Sequence, residues 1–281
     1  MQHRLRLVVV LSLSALGSAI GCATQKLAYR PDELRAEVRR RAPELDPADV
    51  VVPFEISPAH VDLARRLVRD AGSDSGRVRA LSIALLDPRG LGLRYVPSVT
   101  TDAEETLRQS RGNCLALASV FIGLARAVGL EAYYIDASVY VHQTRYVNDG
   151  TTVNEGHLTA MVRTDTENIG LDFSRAGTMR WYRVLDDVEA LAHFYNNRGF
   201  EQMDRAESAG VPVDWVAIER DFQRAVQVLP SFARAWNNLG LAASRLGHED
   251  EAVRHYRTAI ARDPKLAAPR NNLGSLLLSA G

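Results

Sequence analysis

Cysteine is nearly absent: the 281 residues hold two, Cys22 and Cys114, too few for a disulfide framework. No CxxC pair and no paired histidines at ligand spacing occur, so the usual zinc patterns are missing and neither a metal nor another cofactor is expected. A charge bias is lacking as well. The 34 basic and 34 acidic side chains cancel, which leaves no field to draw the chain to nucleic acid, and nucleic acid is not an expected partner. Arg39, Arg40 and Arg41 are interleaved with Glu33, Glu37 and Glu44 and read as a solvated helix face. The apolar stretch from Leu7 to about Ile20 falls short of the roughly 20 residues that a spanning helix needs. What is plentiful is apolar side chain, 46% of the total, enough to fill the core of one large or two modest domains.

That short apolar stretch follows His3, Arg4 and Arg6 and ends at Gly21-Cys22, the shape of an export signal over residues 1–22. Ser18-Ala19-Ile20-Gly21-Cys22 resembles a bacterial lipobox, which implies lipidation of Cys22 and anchoring to a membrane. Ala23 directly after it resembles lipoproteins of the outer membrane, so the expected location is exported, membrane-anchored and facing the periplasm. Cys114 is then a lone thiol in an oxidising compartment, where an idle thiol is a liability. Residues 23–50, polar and dotted with Pro31, Pro43 and Pro47, are expected to form a tether with one short helix.

Beyond the tether, apolar residues recur at three and four from His60 to Arg69 and from Gly76 to Leu86, predicting two amphipathic helices. Thr101-Asp102-Ala103-Glu104 is a capping box for a short helix to about Gln109. Asn113 caps a helix from Cys114 to Val128, apolar nearly all round and closed by Gly129, which belongs at the centre of a domain. Strand patterns cover Ala132–Val141, His157–Arg163, Ile169–Phe173 and Tyr182–Val184; the polar stretch 142–155 is either a hairpin tip or a flap. A central helix followed by an antiparallel sheet makes residues 51–187 an α+β domain.

From residue 188 the pattern is helical and repeats itself. Asn237-Asn238-Leu239-Gly240 recurs as Asn271-Asn272-Leu273-Gly274, and Ala225–Pro230 aligns with Ala259–Pro264, both at an offset of 34. Trp236, Leu239, Gly240, Ala252, Tyr256, Ala259 and Pro264 stand at spacings that resemble tetratricopeptide repeats. Residues 188–281 are therefore expected to be an all-α repeat array, with an earlier copy starting near Tyr195 and a last copy represented by its first helix. The resemblance implies a protein or peptide partner, or a substrate, held by the repeats.

The chemistry-bearing pattern surrounds Cys114. A helix's first turn offers unpaired N–H groups and a positive dipole end that stabilise a thiolate. A base within hydrogen-bond reach, itself oriented by a carboxylate, completes a nucleophilic cysteine. Strand alternation puts His157, Thr159 and Met161 on one face, and Asp172 opposite the face of Ile169, Leu171 and Phe173. If the two strands are neighbours, His157 and Asp172 share a face. His142 is an alternative base and Asp136 an alternative orienter. The Cys114 backbone N–H and the Gln109 side chain are candidates for an oxyanion hole. His193, His248 and His255 fall in the repeats and read as solvated or packing residues.

Arg111-Gly112-Asn113-Cys114-Leu115-Ala116-Leu117-Ala118, with Leu124–Ala132 after it, resembles the transglutaminase-like, or papain-like, superfamily. That resemblance implies a catalytic triad of Cys114, His157 and Asp172. It also implies an acyl-transfer activity, hydrolysis by a peptidase or amidase being favoured over transfer to an amine. The alternative is a non-catalytic lipoprotein adaptor in which the cysteine domain is only a scaffold.

Overall fold

The computed structural model describes residues 26–137, 143–146, 152–155, 158–171, 173 and 182–279. Its elements in chain order are α1 (Pro31–Arg41), α2 (Pro58–Leu67), α3 (Asp74–Leu86), β1 (Arg94–Tyr95), α4 (Ala103–Gln109), β2 (Arg111–Gly112), α5 (Cys114–Ala127) and β3 (Glu131–Asp136). There follow β4 (Gln143–Tyr146), β5 (Thr152–Glu155), β6 (Leu158–Arg163), β7 (Asn168–Leu171), β8 (Arg183–Leu185), α6 (Asp187–Ala209), α7 (Trp215–Val228), α8 (Ala233–Arg245), α9 (Glu249–Arg262) and α10 (Ala268–Ser279). The chain divides into two compact units, the first drawn from 1–34, 52–139 and 157–187, the second from 35–51, 140–156 and 188–281.

In the first unit α5 is the hub. Every residue from Cys114 to Ala125 is buried, as its nearly all-round apolar sequence requires. Helices α2, α3 and α4 and strands β3 and β6 pack around it. The sheet runs β7-β6-β3-β8 and is antiparallel throughout. Tyr134 on β3 is fully buried and its hydroxyl meets Ser119 Oγ of α5 at 2.8 Å, which satisfies a polar atom in the core. Burial pushes the Tyr134 phenol well above its ordinary value, so it stays neutral. Ile135 and Met161 form a second small core with Tyr133, Tyr182 and Val184, which is why β6 is buried at five successive positions instead of alternating.

Glycine governs one close approach. A Cβ on Gly123, in the middle of α5, would lie 2.4 Å from the Phe54 carbonyl oxygen and 2.9 Å from Ile56 Cγ2. The neighbour is backbone and cannot swing aside, so Gly123→Ala is expected to destabilise by about 1–3 kcal/mol despite alanine's better helix propensity. A lowered urea midpoint checks this, and an unchanged or raised midpoint contradicts it.

Residues 26–50 depart from the tether expected over 23–50. Leu34, Val38 and Ala42 are wholly buried, and Leu45 and Val50 nearly so. Within the second unit Tyr195 holds this stretch twice, its hydroxyl donating to the Asp49 carbonyl at 3.1 Å and accepting from the Val51 N–H at 3.2 Å. A stripe at intervals of four buries one side of α1 while its arginines and glutamates pair on the other.

The repeats of the second unit stack as two layers. Helices α7 and α9 flank α8, while α6, α8 and α10 are linked by buried asparagines. Asn238 donates to Asn196 and Asn272 donates to Asn237, both at 2.9 Å. In both helix pairs a glycine lets an aromatic ring close in. A Cβ on Gly199 would sit 2.9 Å from the Phe222 ring, and one on Gly240 would sit 2.7 Å from Tyr256. Helix α6 is longer than the other repeat helices, and the chain turns after it at Gly210, whose φ of +64° suits glycine.

Candidate functional site

Cys114 is the first residue of α5 and is 7% exposed. Its neighbours are fixed from both sides. The Asn113 side-chain oxygen accepts from the Ala116 N–H at 2.9 Å and its amide donates to Thr100 Oγ1 at 2.8 Å. The segment just before is sewn to 94–99 by Arg94 N–H to the Ser110 carbonyl at 3.0 Å, Val96 N–H to Gly112 at 2.9 Å and Asn113 N–H to Val99 at 2.8 Å. Ser110, the sole non-glycine residue with positive φ among those described, turns the chain from α4 into this ladder at φ 52°. Gly112 fits because a Cβ there would meet Ala116 Cβ at 2.6 Å. The thiol therefore sits on a rigid helix start whose first N–H groups have no intrahelical acceptor.

His157, Asp172, His142 and the lipidation candidate Cys22 lie outside the described residues. The strands beside the first two are described: β6 begins at Leu158, β7 ends at Leu171, and they are antiparallel neighbours with Ala160 opposite Leu171. Adjacency of these strands is the condition on which the sequence argument for His157 and Asp172 depends. Asp136, the alternative orienter, is 3% exposed at the end of β3, with Leu158 as its strand partner. A carboxylate thus stands beside the first residue of β6.

Against this arrangement, a family model described as the transglutaminase-like superfamily matches residues 61–184, and a tetratricopeptide-repeat model matches 233–266. Residues 61–184 are a transglutaminase-like domain, and repeats follow it. Protein O-mannosyl-transferase TMTC1 of Homo sapiens is 39% identical over 62 residues, which cover 22% of this chain and 7% of that protein. Its Mus musculus counterpart matches to the same extent. The chain spans only that small part of these relatives. A crystal structure of a candidate protease of Parabacteroides distasonis ATCC 8503 shares 11% identity, covering 64% of this chain and 39% of that one, with a TM-score of 0.33.

Within the transglutaminase-like domain, the side chain of Gln109, the other oxyanion candidate, bonds to its neighbours in sequence. Its amide nitrogen donates to Glu105, one turn back on α4, and its oxygen accepts from Arg111 Nε at 3.2 Å. The same Glu105 takes two bonds from Arg108, which with Gln109 hold its carboxyl down at about 2. Of the two candidates the Cys114 backbone N–H has the simpler geometry, since it belongs to the helix start itself.

A polar clasp between α2 and α4 in the same domain left no trace in the sequence pattern. Glu104 Oε1 accepts from the Ser57 N–H at 2.5 Å and lies 2.8 Å from His60 Nδ1, itself 3.1 Å from Ser57 Oγ. Serine and glutamate share one ring nitrogen, so this is not a relay of the Ser-His-acid kind. Burial raises the Glu104 carboxyl, but the Ser57 and His60 bonds outweigh it and the net direction is downward. A lowered carboxyl stabilises above the unfolded-state value and loses that contribution as pH falls through the folded one. Glu104→Gln is accordingly expected to lower the urea midpoint at pH 7 and to leave it unchanged at about pH 3; a pH-independent deficit would contradict this.

Outside the domain, one group among the described residues has metal-ligand chemistry: Glu219, His248 and Glu251, whose ligand atoms lie within 4.8 Å of one another. It is largely exposed, and Glu251 also meets Arg254 at 3.4 Å. No described helix is long and apolar enough to cross a membrane.

Proposed function

We propose that the protein is a membrane-anchored cysteine acyl-transfer enzyme, hydrolytic in preference to cross-linking, acting on an amide or related carbonyl. The observation that carries this reading is Cys114 as the first residue of a buried, Asn113-capped helix, in a domain whose next two family positions, His157 and Asp172, flank neighbouring strands. His157 takes the thiol proton and Asp172 holds the imidazole. The thiolate attacks the carbonyl carbon, the C–N bond breaks, and the amine leaves with the proton from His157. Water, deprotonated by His157, then cleaves the thioester, releasing the acid and regenerating the thiol. The anchor is lipid on Cys22, facing the periplasm from the outer membrane, and the repeats serve a protein or peptide partner or substrate.

The 7% exposure of Cys114 favours a second reading, a repeat-bearing adaptor with the cysteine domain as scaffold. Alkylation of Cys114 by iodoacetamide across pH, followed by peptide mass, separates the two. A half-maximal rate two or more pH units below the ordinary thiol value of about 8.5 supports catalysis. A rate that follows an ordinary thiol, or appears only on unfolding, supports the adaptor.

A further inference from the structure

Thr100 is 6% exposed and Asn113 4%, so the bond from Asn113 Nδ2 to Thr100 Oγ1, at 2.8 Å, is a polar link inside the core, one residue before Cys114. Buried polar groups cost free energy unless they are paired. What a paired one adds over apolar contact is direction.

Direction matters at an amide. With Nδ2 held by Thr100, Oδ1 points at α5 and accepts from the Ala116 N–H at 2.9 Å. Turned over, the amide would set its own N–H against that N–H, donor to donor. Two more N–H groups of the helix start are allotted: that of Asn113 goes to the Val99 carbonyl at 2.8 Å, and that of Leu117 to the Asn113 carbonyl at 3.0 Å. Left over, among the described residues, are the N–H groups of Cys114 and Leu115, the donors that this helix start can offer to a thiolate or an oxyanion. The segment that holds Asn113 is itself held. Thr101 Oγ1 meets Thr106 Oγ1 of α4 at 2.7 Å, and a Cβ on Gly112 would come within 3.2 Å of the methyl of Thr106, which is wholly buried. Thr100 thus grips the start of α5 while Thr101 grips α4.

We infer that Thr100 is a positioning residue of the cysteine site: through the Asn113 amide it fixes the start of α5, so that the Cys114 and Leu115 N–H groups keep their place for the thiolate. This rests on the cysteine reading proposed above. Thr100 acts through Asn113 alone and has no part in the bond changes.

Iodoacetamide alkylation of Cys114 across pH in the full chain, with urea unfolding alongside, tests the role. Thr100→Val keeps the shape of the side chain and removes the hydroxyl; it is expected to raise the alkylation midpoint by about half a unit or more. Thr100→Ser should restore the wild-type midpoint. Asn113→Ser keeps a capping oxygen for Ala116 but is too short to reach Thr100, and should move the midpoint in the same direction. It decides the matter alone if Thr100→Val does not fold. Because both changes cut one link, the double variant should shift no further than the larger single shift. A lowered urea midpoint with an unmoved alkylation midpoint would make the pair packing alone and overturn the inference, as would shifts that add, or a Thr100→Ser protein no better than Thr100→Val. Failure of the cysteine reading shows earlier, in the wild type: a midpoint at the ordinary thiol value of about 8.5 would end that reading and this inference with it.

Discussion

His157→Ala is expected to raise the pH midpoint of Cys114 alkylation by two or more units and to cut any acyl-transfer turnover by about 10²–10⁴, the range for loss of a general base. The argument starts from thiolate fraction. An ordinary thiol with a pKa of about 8.5 is only about 0.3% ionised at pH 6, whereas a thiol paired with a protonated imidazole is mostly ionised there. Lower basicity also lowers intrinsic nucleophilicity, which offsets part of that gain, so the net loss in alkylation rate at pH 6 is expected to be about tenfold or more. Asp172→Asn should move the midpoint part of the way. Asp136→Asn should leave it in place; a reversed order would make Asp136 the orienter, a role its burial beside Leu158 allows.

Arg126→Ala is expected to destabilise the first unit by about 3–5 kcal/mol, because it strands a buried carboxylate. Arg126 is bidentate to Asp187 at 2.7 and 2.9 Å, donates twice more to the Ala132 carbonyl, and lies 4.6 Å over the Phe54 ring. The Asp187 side chain is wholly buried and that of Arg126 is 16% exposed. Burial pushes the Asp187 carboxyl upward, against the pull of Arg126 and of the Tyr29 N–H at 2.8 Å. Without Arg126 that upward push loses its main opponent. A carboxyl raised in the folded state favours folding at low pH and loses that advantage as pH rises through its folded value. The deficit of Arg126→Ala should therefore be smaller near pH 4 than at pH 7, and Arg126→Met with Asp187→Leu should recover most of it. Urea unfolding of the three proteins at both pH values checks each point. A deficit under about 1 kcal/mol at pH 7 would mean that the pair is idle.

The features legible in the sequence were those that local chemistry dictates. Asn113 before an unbroken apolar run announces a capped, central helix, and α5 begins at Cys114 as read. The 34-residue echo of Asn-Asn-Leu-Gly announces stacked helix pairs, and the asparagines prove to be the stitches that join α6, α8 and α10 along one layer. What escaped were features created by distant segments. The two-residue ladder of β1 and β2 is too short to leave a period, although it fixes the approach to Cys114. Prolines and charges hid the stripe of Leu34, Val38 and Ala42, so α1 read as part of a tether. Nothing near Arg126 in the sequence shows that its partner is Asp187, 61 positions on. For the site, the cysteine's position could be named from the sequence, whereas the bond of Gln109 to Glu105, one turn back on α4, could not.

The join between Tyr29 and Asp187 also sets an order of events in time. Leu27 and Tyr29 meet Asp187 through two hydrogen bonds, the second across 158 positions of chain. A growing or translocating polypeptide holds its first strap idle until residue 187 has emerged, and long-range closures of this kind are slow. By then α5, β3 and β6 have all been made, so the strap can close only once every segment of that core is available.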